Sequence, residues 1–132
     1  MYTMKQTCDK LGITYETLRF YCDTGLVPDV ARDNNNYRMF DDKNIKWISS
    51  LLCLRKCGMS VKDMKIYMQL CLKGISSIEE RQVILGEQKE FLLAQIREIQ
   101  ESIDFIDYKQ KFYDDALAGK IEYKSNLIRT NC

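Results

Sequence analysis

Six cysteines, at positions 8, 22, 53, 57, 71 and 132, are the residues of this chain best suited to covalent or metal chemistry. Their spacing limits both. There is no Cys-x-x-Cys pair and no histidine, so neighbouring residues assemble neither a zinc-type ligand set nor a dithiol redox motif. Cys53 and Cys57 fall one helical turn apart, where a disulfide would strain the helix. The missing histidine also removes the usual proton shuttle. No phosphate-binding glycine loop and no paired catalytic carboxylates occur, so the expectation is a protein that is not an enzyme and takes no metal or cofactor. What remains is single-thiol reactivity, and each cysteine has the alternative of being a small core residue.

The elements that must position such residues are mostly α-helical. Proline occurs once in 132 residues and 45% of the chain is apolar. Met4, Cys8 and Leu11 make the stripe of a short amphipathic helix, which Gly12 ends. Thr14 is an N-cap for a second helix over residues 15–24, with Leu18, Tyr21 and Cys22 inward. Two short helices across a tight glycine turn form a helix-turn-helix. Two β-prone runs then flank the tip Asp33-Asn34-Asn35-Asn36, as a hairpin does, because Asn tolerates the left-handed conformation. Asp41 or Asp42 caps a third helix that stops at Gly58. Ser60 with Asp63, and Ser77 with Glu80, are spaced as capping boxes for a fourth and a fifth helix.

The fifth helix is expected over residues 78–117. Leu85, Leu92, Ile99, Ile106 and Tyr113 recur every seven residues, and Ile96 and Ile103 occupy the second heptad position, which Lys89 and Gln110 interrupt near the ends. Some forty residues make a rod of about 60 Å. A small head cannot bury such a stripe, so the pattern asks for a second copy and a homodimer. The expected division is a head over residues 1–74, a dimerisation helix over 75–117 and a short tail over 118–132. Residues 1–74 carry 12 Lys/Arg against 8 Asp/Glu, and residues 75–132 carry 8 against 11, so the front is the half suited to meeting phosphate. No run of apolar residues is long enough to span a membrane, and the start lacks a signal-peptide pattern, so a cytoplasmic protein is expected.

Four motifs occur in order: Gly12-Ile13-Thr14-Tyr15-Glu16-Thr17-Leu18-Arg19-Phe20-Tyr21, Gly25-Leu26-Val27-Pro28, Asn36-Tyr37-Arg38-Met39-Phe40 and Leu54-Arg55-Lys56-Cys57-Gly58-Met59-Ser60. Together with the long helix they resemble the MerR family of regulators over about residues 3–115. The resemblance implies a winged helix-turn-helix head and an antiparallel coiled-coil dimer. It also implies binding to double-stranded promoter DNA with an overlong spacer, which is distorted so that RNA polymerase can engage it.

On that resemblance Thr14, Tyr15, Glu16 and Thr17 are the turn of the second helix that enters the major groove. Arg19 grips a phosphate bidentately, and Tyr21 either adds a phosphate bond or sits in the core. Asn36, Tyr37 and Arg38 hold the backbone from the wing, and Lys56 adds a further contact. Two residues depart from the family pattern: Glu16 stands where arginine is common, and Asn36 replaces the usual wing glycine.

Metal-sensing members carry cysteines at the start of the long helix, where this chain has Ser77-Ile78-Glu79-Glu80. Drug-sensing members append a large domain, and only residues 118–132 follow here. The stretch around Leu52-Cys53-Leu54-Arg55-Lys56 resembles the branch that answers aldehydes and other electrophiles through one thiol, which makes Cys53 the candidate sensor. A small-molecule pocket lined by Tyr108, Phe112, Tyr113 and Tyr123 is the other source of an effector. Two rival functions stay open: an architectural protein of the excisionase kind, and a thiol-redox or coiled-coil module without DNA binding. The first has no use for a forty-residue heptad helix. The second leaves Thr14, Arg19, Tyr37 and Arg38 without a role.

Overall fold

The computed structural model describes residues 1–124; Cys132 lies outside them. The order of elements is α1 (Met4–Leu11), α2 (Tyr15–Asp23), β1 (Ala31–Arg32), β2 (Arg38–Met39), α3 (Asp42–Lys56), α4 (Val61–Leu72), a 3-10 turn (Gly74–Ser77) and α5 (Ile78–Leu117). The chain forms two units, Met1–Glu90 and the part from Phe91 onward.

Local chemistry accounts for most helix ends. Thr3 and Gln6 form a complete capping box on α1, and Gly12 ends that helix at φ +67°. The Thr14 hydroxyl accepts from the Thr17 amide at 3.1 Å, which caps α2 as expected. Of the two aspartates offered for α3, Asp41 is the cap: its carboxylate accepts from the Asn44 amide, and Asn44 Oδ1 accepts from the Asp41 amide. Ser60 caps α4 by accepting from the Asp63 amide at 3.1 Å, but the reciprocal half of a box is not formed among the described residues.

The second expected box is a correction. Ser77 is the last residue of the 3-10 turn and is buried, not an exposed cap. Its hydroxyl bonds to the Leu70 carbonyl, with the Gly74 carbonyl at 3.0 Å, and accepts from Arg81 Nε at 3.1 Å. Glu80 takes no part in these bonds. Arg81 also donates from Nη2 to the Gly74 carbonyl at 2.5 Å. The Leu70 carbonyl at the end of α4, which also accepts from the Lys73 amide, and the Gly74 carbonyl of the turn are thereby tied to Ser77 and Arg81.

The wing is a two-residue antiparallel ladder, Ala31 opposite Met39 and Arg32 opposite Arg38. Asn36 adopts φ +65°, as its composition allows, and so does Asp29 at φ +57°, which was not anticipated. Tyr2 extends the wing's base through a bridge to Phe40. The core of the first unit joins α1 to α4: Leu18, Phe40, Ile48 and Leu51 have no exposed surface, and Tyr21, Leu26, Met64 and Met68 surround them. Each such aliphatic or aromatic side chain contributes about 1.5–3 kcal/mol on burial. Trp47 Nε1 donates to the Leu26 carbonyl at 2.7 Å and pins α3 to the segment that follows α2. The opening turns of α5 belong to this unit as well, with Ile84 against the core and Gln88 donating to the Cys57 carbonyl at 2.7 Å.

α5 spans the full stretch expected from the heptads and contains no buried residue. In the second unit Phe112, Tyr113 and Tyr123 cluster with ring centroids 5.7–6.2 Å apart.

Candidate nucleic-acid interface

The first turn of α2 is open to solvent. Thr14, Tyr15 and Glu16 are exposed and Thr17 is half-buried. The Thr14 hydroxyl also donates to Thr17 Oγ1 at 2.9 Å, so the two threonines are locked to each other and Tyr15 and Glu16 are the freer pair. Glu16 has no ion-pair partner among the described residues. An acceptor left free at a helix N-terminus can take a hydrogen bond from a base amino group.

The wing tip is braced from within. The Asp33 carboxylate accepts from the Asn35 and Tyr37 amides at 2.9 and 3.0 Å, and Arg32 Nη1 donates to the Asn36 carbonyl at 2.8 Å. The Tyr37 side chain is left 69% exposed beyond that brace. Tyr15, Tyr37 and Arg38 then line one groove of about 370 Å3 with Thr3 and Lys5 from the start of α1. The fold thus brings three of the residues named from sequence into one place, from α2 and from the wing.

Thr14, Glu16 and Thr17 line a second groove, of about 470 Å3, whose other wall is the turn between α3 and α4. Arg55 and Ser60 stand on that wall. Arg55 was not singled out for this role from sequence. Lys56 is exposed next to it but lines neither groove. One residue of register on a helix turns a side chain by about 100°, which the order of residues alone does not fix.

Arg19 and Arg38 share a partner that the sequence did not announce. Arg38 Nη2 lies 2.6 Å from Asp23 Oδ1, and Arg19 Nε lies 3.5 Å from Asp23 Oδ2. The hydrogen bond from Arg38, with the charge of both arginines behind it, holds the Asp23 carboxyl below its ordinary range. Burial pushes the nearby Cys22 thiol up, against the opposing pull of Arg38.

Tyr21 is a different case. It is 2% exposed and its hydroxyl is buried without a hydrogen-bond partner among the described residues. Of the two readings open for it, this places Tyr21 in the core of the free chain, apart from the exposed set.

Cys53 is exposed and not a core residue. It borders a groove of about 300 Å3 with Trp47, Ser50, Tyr67 and Cys71. Arg55, two residues on, faces the α2 groove and not this one. On α5, Leu85, Ile96, Ile99, Ile103, Ile106 and Tyr113 are 42–61% exposed, and Leu92 is half-buried. Among the described residues no cluster of His, Cys, Asp or Glu could hold a metal ion, and no helix is long and apolar enough to cross a membrane.

The model of the MerR HTH family regulatory proteins matches residues 2–71, the region that holds both grooves. This chain belongs to the MerR family. Its relatives are transcription regulators and not enzymes. An uncharacterized HTH-type transcriptional regulator of Haemophilus influenzae is 40% identical over 117 residues, spanning 89% of this chain and 87% of the relative. The Bacillus subtilis regulator AdhR is 36% identical over 88 residues, 67% of this chain and 63% of its own. Among solved structures, HiNmlR is described as a MerR family regulator lacking the sensor domain and was crystallised bound to promoter DNA. It is 40% identical, with a TM-score of 0.69, covering 89% of this chain and 93% of that one.

Proposed function

We propose that this MerR-family regulator binds double-stranded promoter DNA as a homodimer and activates transcription by distorting a promoter whose spacer is too long for RNA polymerase. The observation that carries the DNA reading is the groove shared by Tyr15, Tyr37 and Arg38, which lets α2 and the wing address one duplex together. HiNmlR, bound to promoter DNA, supports the same reading by likeness. Dimerisation is supported by the heptad seam of α5, whose apolar residues are uncovered in a single chain. An architectural role without dimerisation leaves that seam without a purpose.

A gel shift with increasing salt tests the DNA reading. Log affinity should fall linearly with log salt, and Arg38→Ala should flatten the slope by about one phosphate contact. Affinity that ignores salt contradicts it.

The effector is inferred to be an electrophile such as an aldehyde, acting on the Cys53 thiol. Exposure of Cys53 beside a groove supports access. A promoter response that survives Cys53→Ala would remove this reading and leave DNA binding untouched.

A further inference from the structure

Arg19 and Arg38 come from different elements and reach one carboxylate, each on its own oxygen. Asp23 therefore fixes the separation of two guanidiniums. The two pairs are unequal. Arg19 sits one turn earlier on the same helix with its side chain 65% exposed, an arrangement that contributes little by itself. The Arg38 side chain is only 21% exposed and bonds at 2.6 Å. Of the two ion pairs among the described residues, Asp23–Arg38 is the one that joins different elements. The base of the wing is held by the Tyr2–Phe40 bridge and by buried Phe40, whereas its ladder is only two residue pairs long and both β1 residues are exposed. Asp23 is the last residue of α2, so the tie runs from the end of the recognition helix to the strand beneath the wing tip.

We propose that Asp23 is a positioning residue for DNA recognition: it sets the wing against α2 and holds Arg19 and Arg38 at a spacing that the phosphates of the bound duplex must match. The inference rests on the DNA-binding reading above. A guanidinium presents five N–H donors in a rigid fork. Asp23 engages Nη2 of Arg38 and Nε of Arg19, which leaves further donors on both for phosphate oxygens. A bystander carboxylate would act in the opposite sense, since its charge would simply repel any duplex.

The two roles separate in one experiment on the full chain. Asp23→Ala and Asp23→Asn are compared with the unaltered protein on two probes, a duplex selected by the unaltered protein from a random-sequence library and a scrambled duplex of equal length. Positioning predicts that Asp23→Ala binds the selected duplex about tenfold more weakly, while scrambled DNA binds as before or more tightly. Asp23→Asn, whose amide oxygen can still accept from Arg38, should recover part of the selectivity. Equal gains on both probes, or an unchanged ratio, overturn the inference while DNA binding stands. Failure of the unaltered protein to select any duplex overturns both. Should Asp23→Ala lose its fold by circular dichroism, the selectivity ratio of Asp23→Asn against the unaltered protein decides alone.

Discussion

The guanidinium of Arg38 donates to the carboxylate of Asp23 across 2.6 Å, linking the end of α2 to strand β2 of the wing. Its electrostatic consequence has a definite sign. The folded carboxyl titrates below its unfolded value, so the pair stabilises the fold above the ordinary carboxylate range and loses that contribution as pH falls through the folded value. Asp23 is half exposed, so the effect is modest and screened by salt. Thermal midpoints measured between about pH 5 and pH 2 should drop less steeply in Asp23→Asn than in the unaltered protein. Identical slopes at low salt would show that the pair makes no contribution to stability.

Ser77 makes a stronger demand on stability. Ser77→Ala removes a buried hydroxyl that bonds the Leu70 carbonyl and accepts from Arg81 Nε. The Leu70 carbonyl keeps its bond from the Lys73 amide and Arg81 keeps the Gly74 carbonyl, so the cost is that of the lost hydroxyl bonds, about 1–2 kcal/mol in a urea titration. A loss below about 0.5 kcal/mol would mean that water takes over the bonds.

Asp23 and Ser77 both lie where local sequence patterns stop being informative. Thr14, Gly12 and Asn36 each act on neighbours within a few positions, and their roles were legible because capping and turn chemistry is local; the α3 cap was narrowed to Asp41 or Asp42 for the same reason. The long helix was legible because its heptads repeat from Leu85 to Tyr113 in a proline-free stretch, and α5 spans the expected residues 78–117. Ser77 misled because Ser-x-x-Glu spacing is also met when the serine lies inside a 3-10 turn and faces inward. Asp23 was silent because its partner is fifteen positions away, on another element. Arg55 and Lys56 differ by one step of helix, and only packing of α3 against α4 decides which one faces α2. Tyr2 gave no signal either, since pairing with Phe40 depends on where the wing ends.

Tyr21→Phe separates a core role from a phosphate contact. The hydroxyl is buried and unpartnered in the free chain, so its removal should leave stability unchanged or raise it by up to about 1 kcal/mol. DNA affinity should stay within about twofold, whereas removing a direct phosphate bond would weaken it beyond that. A clear loss of affinity at unchanged stability would return Tyr21 to the interface.

The seam of α5 is tested at its middle. Ile99→Asp places a charge on a residue that is 60% exposed in one chain and would be covered in a dimer. Sedimentation should shift from dimer to monomer at micromolar protein. The far-ultraviolet spectrum of the head should persist, because its core does not include Ile99. A dimer of unchanged stability would place self-association elsewhere.

Hydroxyl-radical footprinting over the DNA upstream of the protein's own coding region, and over duplexes selected from a random library, reads promoter recognition by the dimer itself. Two equivalent protected segments related by two-fold symmetry are expected, with protection weakened in Arg38→Ala. No protected segment on any duplex at low salt, from protein that sediments as a folded dimer, would contradict it.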